Sequence, residues 1–283
     1  MSLYRRRPQI FFLLPALFVL ALVMFYPLIY VLWLSFHRRF LIFNVSEFIG
    51  FGNYVFLFLQ DERFWNALYN TLYFTVTSVF LELVFGLAIA VLLSREFRGR
   101  GGVLSILLIP WVIPAVVSAK IWEWIYNPDF GILNFILKIN INWLGDPFWA
   151  LNAAVLVDVW KATPFVVLLL IAGFQTIPND LFKAAKVDGA SSWHIFWCIT
   201  LPLLKPTILV VLVFRTLDAF RVFDTIYVLT AGGPANTTET LSIYTYKLLF
   251  HILQFGYGSS VAVVIFVFTG IVTVFYMWLL SRG

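Results

Sequence analysis

Cysteine is almost missing from this chain: Cys198 is the single one in 283 residues. A lone thiol cannot close an internal disulfide, and it excludes a cysteine-based zinc site. Histidine is scarce too; His37, His194 and His251 lie far apart, and none forms a metal-spaced pair. No loop of the form G-x-x-x-x-G-K-[ST] occurs, so the chain shows no obvious way to hold ATP by itself. Charge is thin as well. Asp, Glu, Lys and Arg make up 12% of the residues, against about 25% in an ordinary soluble domain. So few charges cannot cover the surface of a water-soluble core.

What fills the chain is apolar: 62% of its residues are hydrophobic. A bilayer core takes about 20 apolar residues per helix. Six stretches meet that length, at 11–36, 69–93, 103–125, 149–174, 207–229 and 259–280. Prolines interrupt several of them: Pro15 and Pro27 in the first, Pro110 and Pro114 in the third, Pro164 in the fourth. No internal repeat or long linker divides them. The expected fold is all-α: a polytopic membrane protein of six transmembrane helices in a single domain, 1–283.

The net charge of +5 points to the cytoplasmic excess of Lys and Arg in membrane proteins rather than to nucleic acid. With the N-terminus cytoplasmic, the inner segments hold ten Lys and Arg: Arg5, Arg6, Arg7, Arg95, Arg98, Arg100, Lys183, Lys186, Lys205 and Arg282. The outer segments hold five: Arg38, Arg39, Arg63, Lys138 and Lys247. Both termini are therefore expected inside, with Arg38 and Arg39 the pair that fits least well. The first apolar run is about twice a signal-peptide core and ends in no small-x-small site, so it reads as a retained helix. Outside, 48–65 and 127–147 read as short surface helices, and "TAGGPANTTETLS" (230–242) as a glycine–proline turn.

The inner stretch "KAAKVDGASSWHIFWCITLPLLKP" (183–206) is the most polar island of the chain. Asn179 or Asp180 is placed to cap a helix from Leu181 to about Asp188. Gly189 is placed to end it with a positive φ. Ser191 or Ser192 then caps a second helix, 193–200, which Pro202 stops; Pro206 suits the first turn of the fifth span. Ala184, Ala185 and Ala190 let another surface approach closely. From composition alone, either a partner groove or the lipid surface fits that helix.

This stretch resembles the EAA loop of the permeases of binding-protein-dependent ABC importers. Ala184, Ala185, Asp188, Gly189, Ala190, Phe196, Ile199, Leu201, Pro202 and Pro206 fall on the family pattern. Lys183 stands where the family usually has Glu. "FIGFGNY", "FWNALYNTL", "FRTLDAFRVFDTIYVLT" and "YVLTAGGPANTTETL" extend the similarity along nearly the whole chain, toward the sugar importers of the maltose and trehalose type. The resemblance implies a loop at 179–206 whose residues Leu181, Lys183, Ala184, Ala185, Asp188, Gly189 and Ala190 seat in a cleft of an ATPase subunit. It implies a second homologous permease, two cytoplasmic ATPase subunits and an extracytoplasmic sugar-binding protein as partners. It places the chain in the cytoplasmic (inner) membrane of a prokaryote. No cofactor is expected on this chain; ATP and Mg belong to the ATPase partners. The implied activity is non-catalytic import of a sugar, a disaccharide such as trehalose or maltose, by alternating access.

Ionisable residues inside apolar runs are costly, at about 2.5–3.5 kcal/mol each on insertion scales, and usually face a partner or a wet cavity. The runs hold Glu82, Lys120, Glu123, Asp158, Lys161, Arg215, Asp218 and Arg221. Asp158 and Lys161 are i,i+3 on the fourth helix, and Ala162 and Phe165 continue that face. Arg215 and Asp218 are i,i+3 on the fifth, with Ala219 beside them. Both helices flank the loop. These residues are the candidate sugar site, since hydroxyls bind charged groups and C–H faces stack on aromatic rings. Equally, buried pairs of this kind can serve only to hold helices together. Glu82, alone in its run, is expected to pair with another helix. The alternative function is an ion-coupled secondary transporter using the charged pairs as a relay, which leaves the ordered loop without a purpose.

Overall fold

The computed structural model describes residues 7–281, with side chains from 12 to 279. Arg5, Arg6, Arg282 and the side chain of Arg7, all counted toward orientation, lie outside the described residues.

The first span begins as α1 (Arg7–Leu20), passes through a π turn (Ala21–Phe25) and ends as α2 (Tyr26–Ser35). Pro27 has no N–H for the carbonyl of Val23, and the wider turn before it keeps the helix continuous. An antiparallel hairpin follows, β1 (His37–Phe40) with β2 (Val45–Phe48), in the register His37 to Phe48 and Phe40 to Val45. Then come α3 (Gly52–Leu59), α4 (Glu62–Leu93), α5 (Arg100–Val112), α6 (Ala115–Ile125), α7 (Ile132–Leu137) and α8 (Pro147–Gln175). The chain continues as α9 (Asn179–Val187), α10 (Ser192–Ile195), α11 (Leu201–Phe220), α12 (Asp224–Leu229), α13 (Leu241–Tyr246) and α14 (Phe255–Ser281). Five helical runs are long and apolar enough to cross a bilayer, and the bent pair α5–α6 makes a sixth if it counts as one span.

These elements form two compact units. One draws on the chain up to Glu62 and on Thr245–Val267. There the Asn53 amide donates to the carbonyls of Ser35 (2.7 Å) and His37 (3.0 Å), tying α3 to the end of the first span. The Tyr257 hydroxyl donates to the Asp61 carboxylate. The other unit comprises Arg63–Tyr244 and the chain from Phe268 onward.

In that second unit α8 is central, packing on α5, α6, α11 and α12. Its start follows local rules: the Asp146 carboxylate accepts from the N–H groups of Phe148 (2.9 Å) and Trp149 (3.2 Å), and Pro147 occupies the first turn. Phe74, Tyr126, Val155, Val159, Ile226 and Ile243 belong to its largest apolar cluster. Gly86 lets α4 close onto α8, because a Cβ there would lie 2.5 Å from Val166 Cγ1. The polar stretch after α12 is held by side chains of α4. Arg63 donates to both carboxylate oxygens of buried Glu239, at 2.7 and 2.8 Å, and Asn70 donates to the Asn236 and Glu239 carbonyls, both at 3.1 Å.

Several span boundaries differ from the sequence expectation; the second span, expected from 69, already begins at Glu62. The third stretch is not one straight helix: α5 and α6 meet at 94°. Ile113, just before Pro114, is extended (φ −66°, ψ 132°), because the proline ring disfavours the helical conformation in the preceding residue. The fifth span ends at Phe220, not near residue 229. Arg221 Nε donates to the Leu217 carbonyl (3.0 Å), completing the helix end, and Asp224 opens the separate α12. At its other end, Pro202 does not stop the second loop helix. α10, a π turn (Phe196–Thr200) and α11 run on as one 29-residue segment, Ser192–Phe220. Pro202 cannot donate to the Cys198 carbonyl, and the widened turn absorbs that loss.

Candidate functional site

Four of the eight membrane charges meet at one guanidinium, while Lys120 pairs with Glu123 (2.6 Å). Arg215 of α11 donates Nε to Glu82 Oε2 (2.5 Å) and Nη2 to Glu82 Oε1 (2.7 Å), a bidentate pair with α4. Nη2 also reaches Asp158 Oδ2 of α8 at 3.0 Å, and Nη1 reaches Asp218 Oδ2 at 2.6 Å. Such forked contacts are the strongest an arginine makes. They are also what a charge away from water requires. The cluster is graded. Glu82 has no exposed surface and Arg215 is 5% exposed, while Asp158 is 14% and Asp218 71% exposed. Glu82 is thus the buried anchor, Asp158 is mostly buried beside it, and Asp218 forms the open rim.

The expected pairing of Asp158 with Lys161 does not form. Lys161 instead donates to the carbonyls of Trp111 (3.4 Å) and Ile113. Those acceptors lose their helical partners where α5 breaks, and an ammonium at a helix C-terminus suits both the free carbonyls and the dipole. Phe165 stacks on Trp111 (ring centroids 5.7 Å, 23° between planes) and meets Phe214 edge-on at 6.4 Å. An aromatic group therefore stands beside Lys161, with Trp111 and Phe214 added to it. Ala162 and Ala219 are buried, Ala219 within the apolar cluster around α8. They pack helices rather than face open space.

Asp158, Arg215 and Asp218 are thus brought together, and Lys161 with Phe165 forms a neighbouring group. Sequence reasoning left Glu82 outside the site. Its signal was present, a single carboxylate in an apolar run, but nothing in its own helix named the partner 133 positions away.

The inner loop has the expected helix–glycine–helix form. α9 begins two residues earlier than expected. Pro178 occupies the cap position, so neither Asn179 nor Asp180 caps the helix. Asp180 lies in the first turn and accepts from Lys183 Nζ at 2.9 Å. Gly189 has φ +80°. The Ala190 N–H donates to the Ala185 carbonyl (2.9 Å) and the Gly189 N–H to the Lys186 carbonyl (3.1 Å), the double closure of a Schellman motif. Ser191 Oγ then accepts from the His194 N–H (3.2 Å) and caps α10. Leu181, Lys183, Ala184, Asp188 and Gly189 are exposed, and Ala185 and Ala190 partly so. Val187 is 87% and Trp193 71% exposed. The loop is closed by its own hydrogen bonds, and its open side mixes charged residues, among them Lys183, Lys186 and Asp188, with the apolar Val187 and Trp193.

Residues 82–282 match the family described as the binding-protein-dependent transport system inner membrane component. The trehalose/maltose transport system permease protein MalF of Thermococcus litoralis is 42% identical over 269 residues, covering 94% of this chain and 90% of that protein. The trehalose transport system permease protein SugA of Mycobacterium tuberculosis is 43% identical over 262 residues, covering 92% of this chain and 84% of its own length. Among solved structures, a chain of a bacterial ABC transporter that imports the acidic polysaccharide alginate superposes with a TM-score of 0.86 at 25% identity, covering 98% of this chain and 96% of that one. Nothing in these likenesses favours an ion-coupled carrier. Six apolar spans counting the bent pair, a capped helix–glycine–helix loop and kinship along the whole length lead to one conclusion: the chain belongs to the binding-protein-dependent inner membrane permease family and is a transport component of an ABC importer.

Proposed function

We propose that this chain carries a sugar, a disaccharide of the trehalose or maltose kind, across the cytoplasmic membrane of a prokaryote as one of two related permease subunits. Its partners are two ATPase subunits, which hold ATP and Mg, and an extracytoplasmic sugar-binding protein. The spans act as one permease domain with both termini and α9 on the cytoplasmic side, as the Lys and Arg asymmetry favours. The substrate class rests on the named relatives.

One observation carries the mechanism. The helical segment that starts beside the exposed loop at Ser192 ends at Arg215 and Asp218. Displacement of α9 by an ATPase subunit is therefore transmitted along a hydrogen-bonded rod to the charge cluster. Asp158 and Asp218 offer acceptors to sugar hydroxyls, and the Trp111–Phe165–Phe214 group offers ring faces. Leu181, Lys183, Ala184, Ala185, Asp188, Gly189 and Ala190 form the docking helix and its hinge. The test is uptake of labelled trehalose and maltose into vesicles that hold the complete transporter. Uptake that needs ATP and stops when the ATPase subunits are left out is the expected result. Uptake that continues without them would return the reading to an ion-coupled carrier.

A further inference from the structure

A cleft lies where α4 and α8 end, away from the charge cluster. It measures about 540 Å³, within the range of small-ligand sites. The turn after α4 supplies Arg95 and Glu96, the start of α5 supplies Arg100, and α9 supplies Lys186. Three cations against one carboxylate leave an excess of two positive charges. The ion pairs among the described residues are made elsewhere, and none involves these four groups. Arg100 Nε is spent on the Leu93 carbonyl (2.7 Å), which holds the guanidinium in place. The lining also includes apolar side chains, Ile171 and Phe174 of α8 and Phe196 of the π turn. Ser94 and Ser192 add hydroxyls at the polar end.

Cations outside any of these ion pairs, beside apolar side chains at the ends of membrane helices, match an amphiphile with a phosphate head. Basic pockets between membrane helices hold anionic headgroups for this reason. We propose that this cleft is a binding site for a phosphate-bearing anion, with Arg95, Arg100 and Lys186 as its ligands. Two sources share that chemistry, an anionic phospholipid headgroup and a soluble phosphate compound. Because Phe182 and Lys186 of α9 form one wall, an occupant braces the docking helix from behind. The site is independent of the sugar reading and of the Arg215 cluster.

The test uses the complete transporter in detergent, titrated with dihexanoyl phosphatidylglycerol, dihexanoyl phosphatidylcholine and inorganic phosphate. Two double variants carry equal charge changes. R95Q/K186Q removes two of the three cations of the cleft; R98Q/K205Q removes two exposed cations outside it, neither of them among the docking residues. The expected result is phosphatidylglycerol binding at least tenfold tighter than phosphatidylcholine, weakened at least tenfold by R95Q/K186Q and unchanged by R98Q/K205Q. Inorganic phosphate that displaces the lipid identifies a soluble anion as sufficient; failure to displace it identifies the lipid as the source. Equal binding of the two lipids, equal loss in both variants, or no binding to the complete transporter would overturn the proposal.

Discussion

At the scale of single residues, Arg215 and Asp218 separate stability from substrate contact. Arg215→Met leaves Glu82 as a buried carboxylate without its partner, a loss of about 3–5 kcal/mol. A lower thermal unfolding temperature in detergent is expected, partly restored in the Glu82→Gln/Arg215→Met double variant. Asp218→Asn is different. Arg215 keeps Glu82 and Asp158, so the protein folds, while the rim loses an ionised acceptor. Sugar affinity of the assembled transporter is expected to fall about tenfold, or roughly 1.4 kcal/mol. An unchanged affinity would remove Asp218 from the sugar site. Lys161→Met tests the helix break: the Trp111 and Ile113 carbonyls lose their donor, and stability drops by about 1–3 kcal/mol, read from the same unfolding curves.

At the scale of elements, the loop turns sharply because α9 is closed at Gly189 and α10 is capped by Ser191. Gly189 sits at φ +80°, and a Cβ added there would meet no atom within 4 Å. A substitution at this position strains only the backbone, by about 1–2 kcal/mol. Gly189→Val is therefore expected to fold and assemble but to loosen the hinge, raising the ATP hydrolysed per sugar imported. Gly189→Asn, which tolerates a positive φ, should lie nearer the parent. Normal stoichiometry in the valine variant would argue that the hinge carries no force. Proline acts differently at different elements. Pro110, Pro164 and Pro206 lie inside continuous helices, whereas Pro114 begins a new one at 94°. At the break, Lys161 of α8 meets the freed carbonyls, so the bend belongs to the packed pair rather than to α5 alone.

At the scale of the whole molecule, the single cysteine reports the orientation in the membrane. Cys198 is exposed in the π turn that follows α10. With the loop on the cytoplasmic side, a membrane-impermeant maleimide should label Cys198 in inside-out vesicles stripped of ATPase subunits, and not in right-side-out ones. The reverse pattern would invert the topology.

The sequence by itself determined the class of fold, six apolar stretches, the inner loop and its glycine, because those signals are local. Apolar length marks a span, and a glycine followed by serine marks a helix end and a cap. It also placed Asp158, Arg215 and Asp218 in one candidate site. Only the tertiary structure decided their partners. A spacing of three residues puts Asp158 beside Lys161, yet Lys161 turns to the broken end of α5 and Asp158 to Arg215. Glu82 joins from α4 because charge removed from water takes the best partner that packing brings within reach, and sequence distance has no part in that choice. The same reason explains why Pro202 lies within a continuous helical run and Pro114 begins a new one: a proline's outcome depends on which neighbour satisfies the carbonyls it frees.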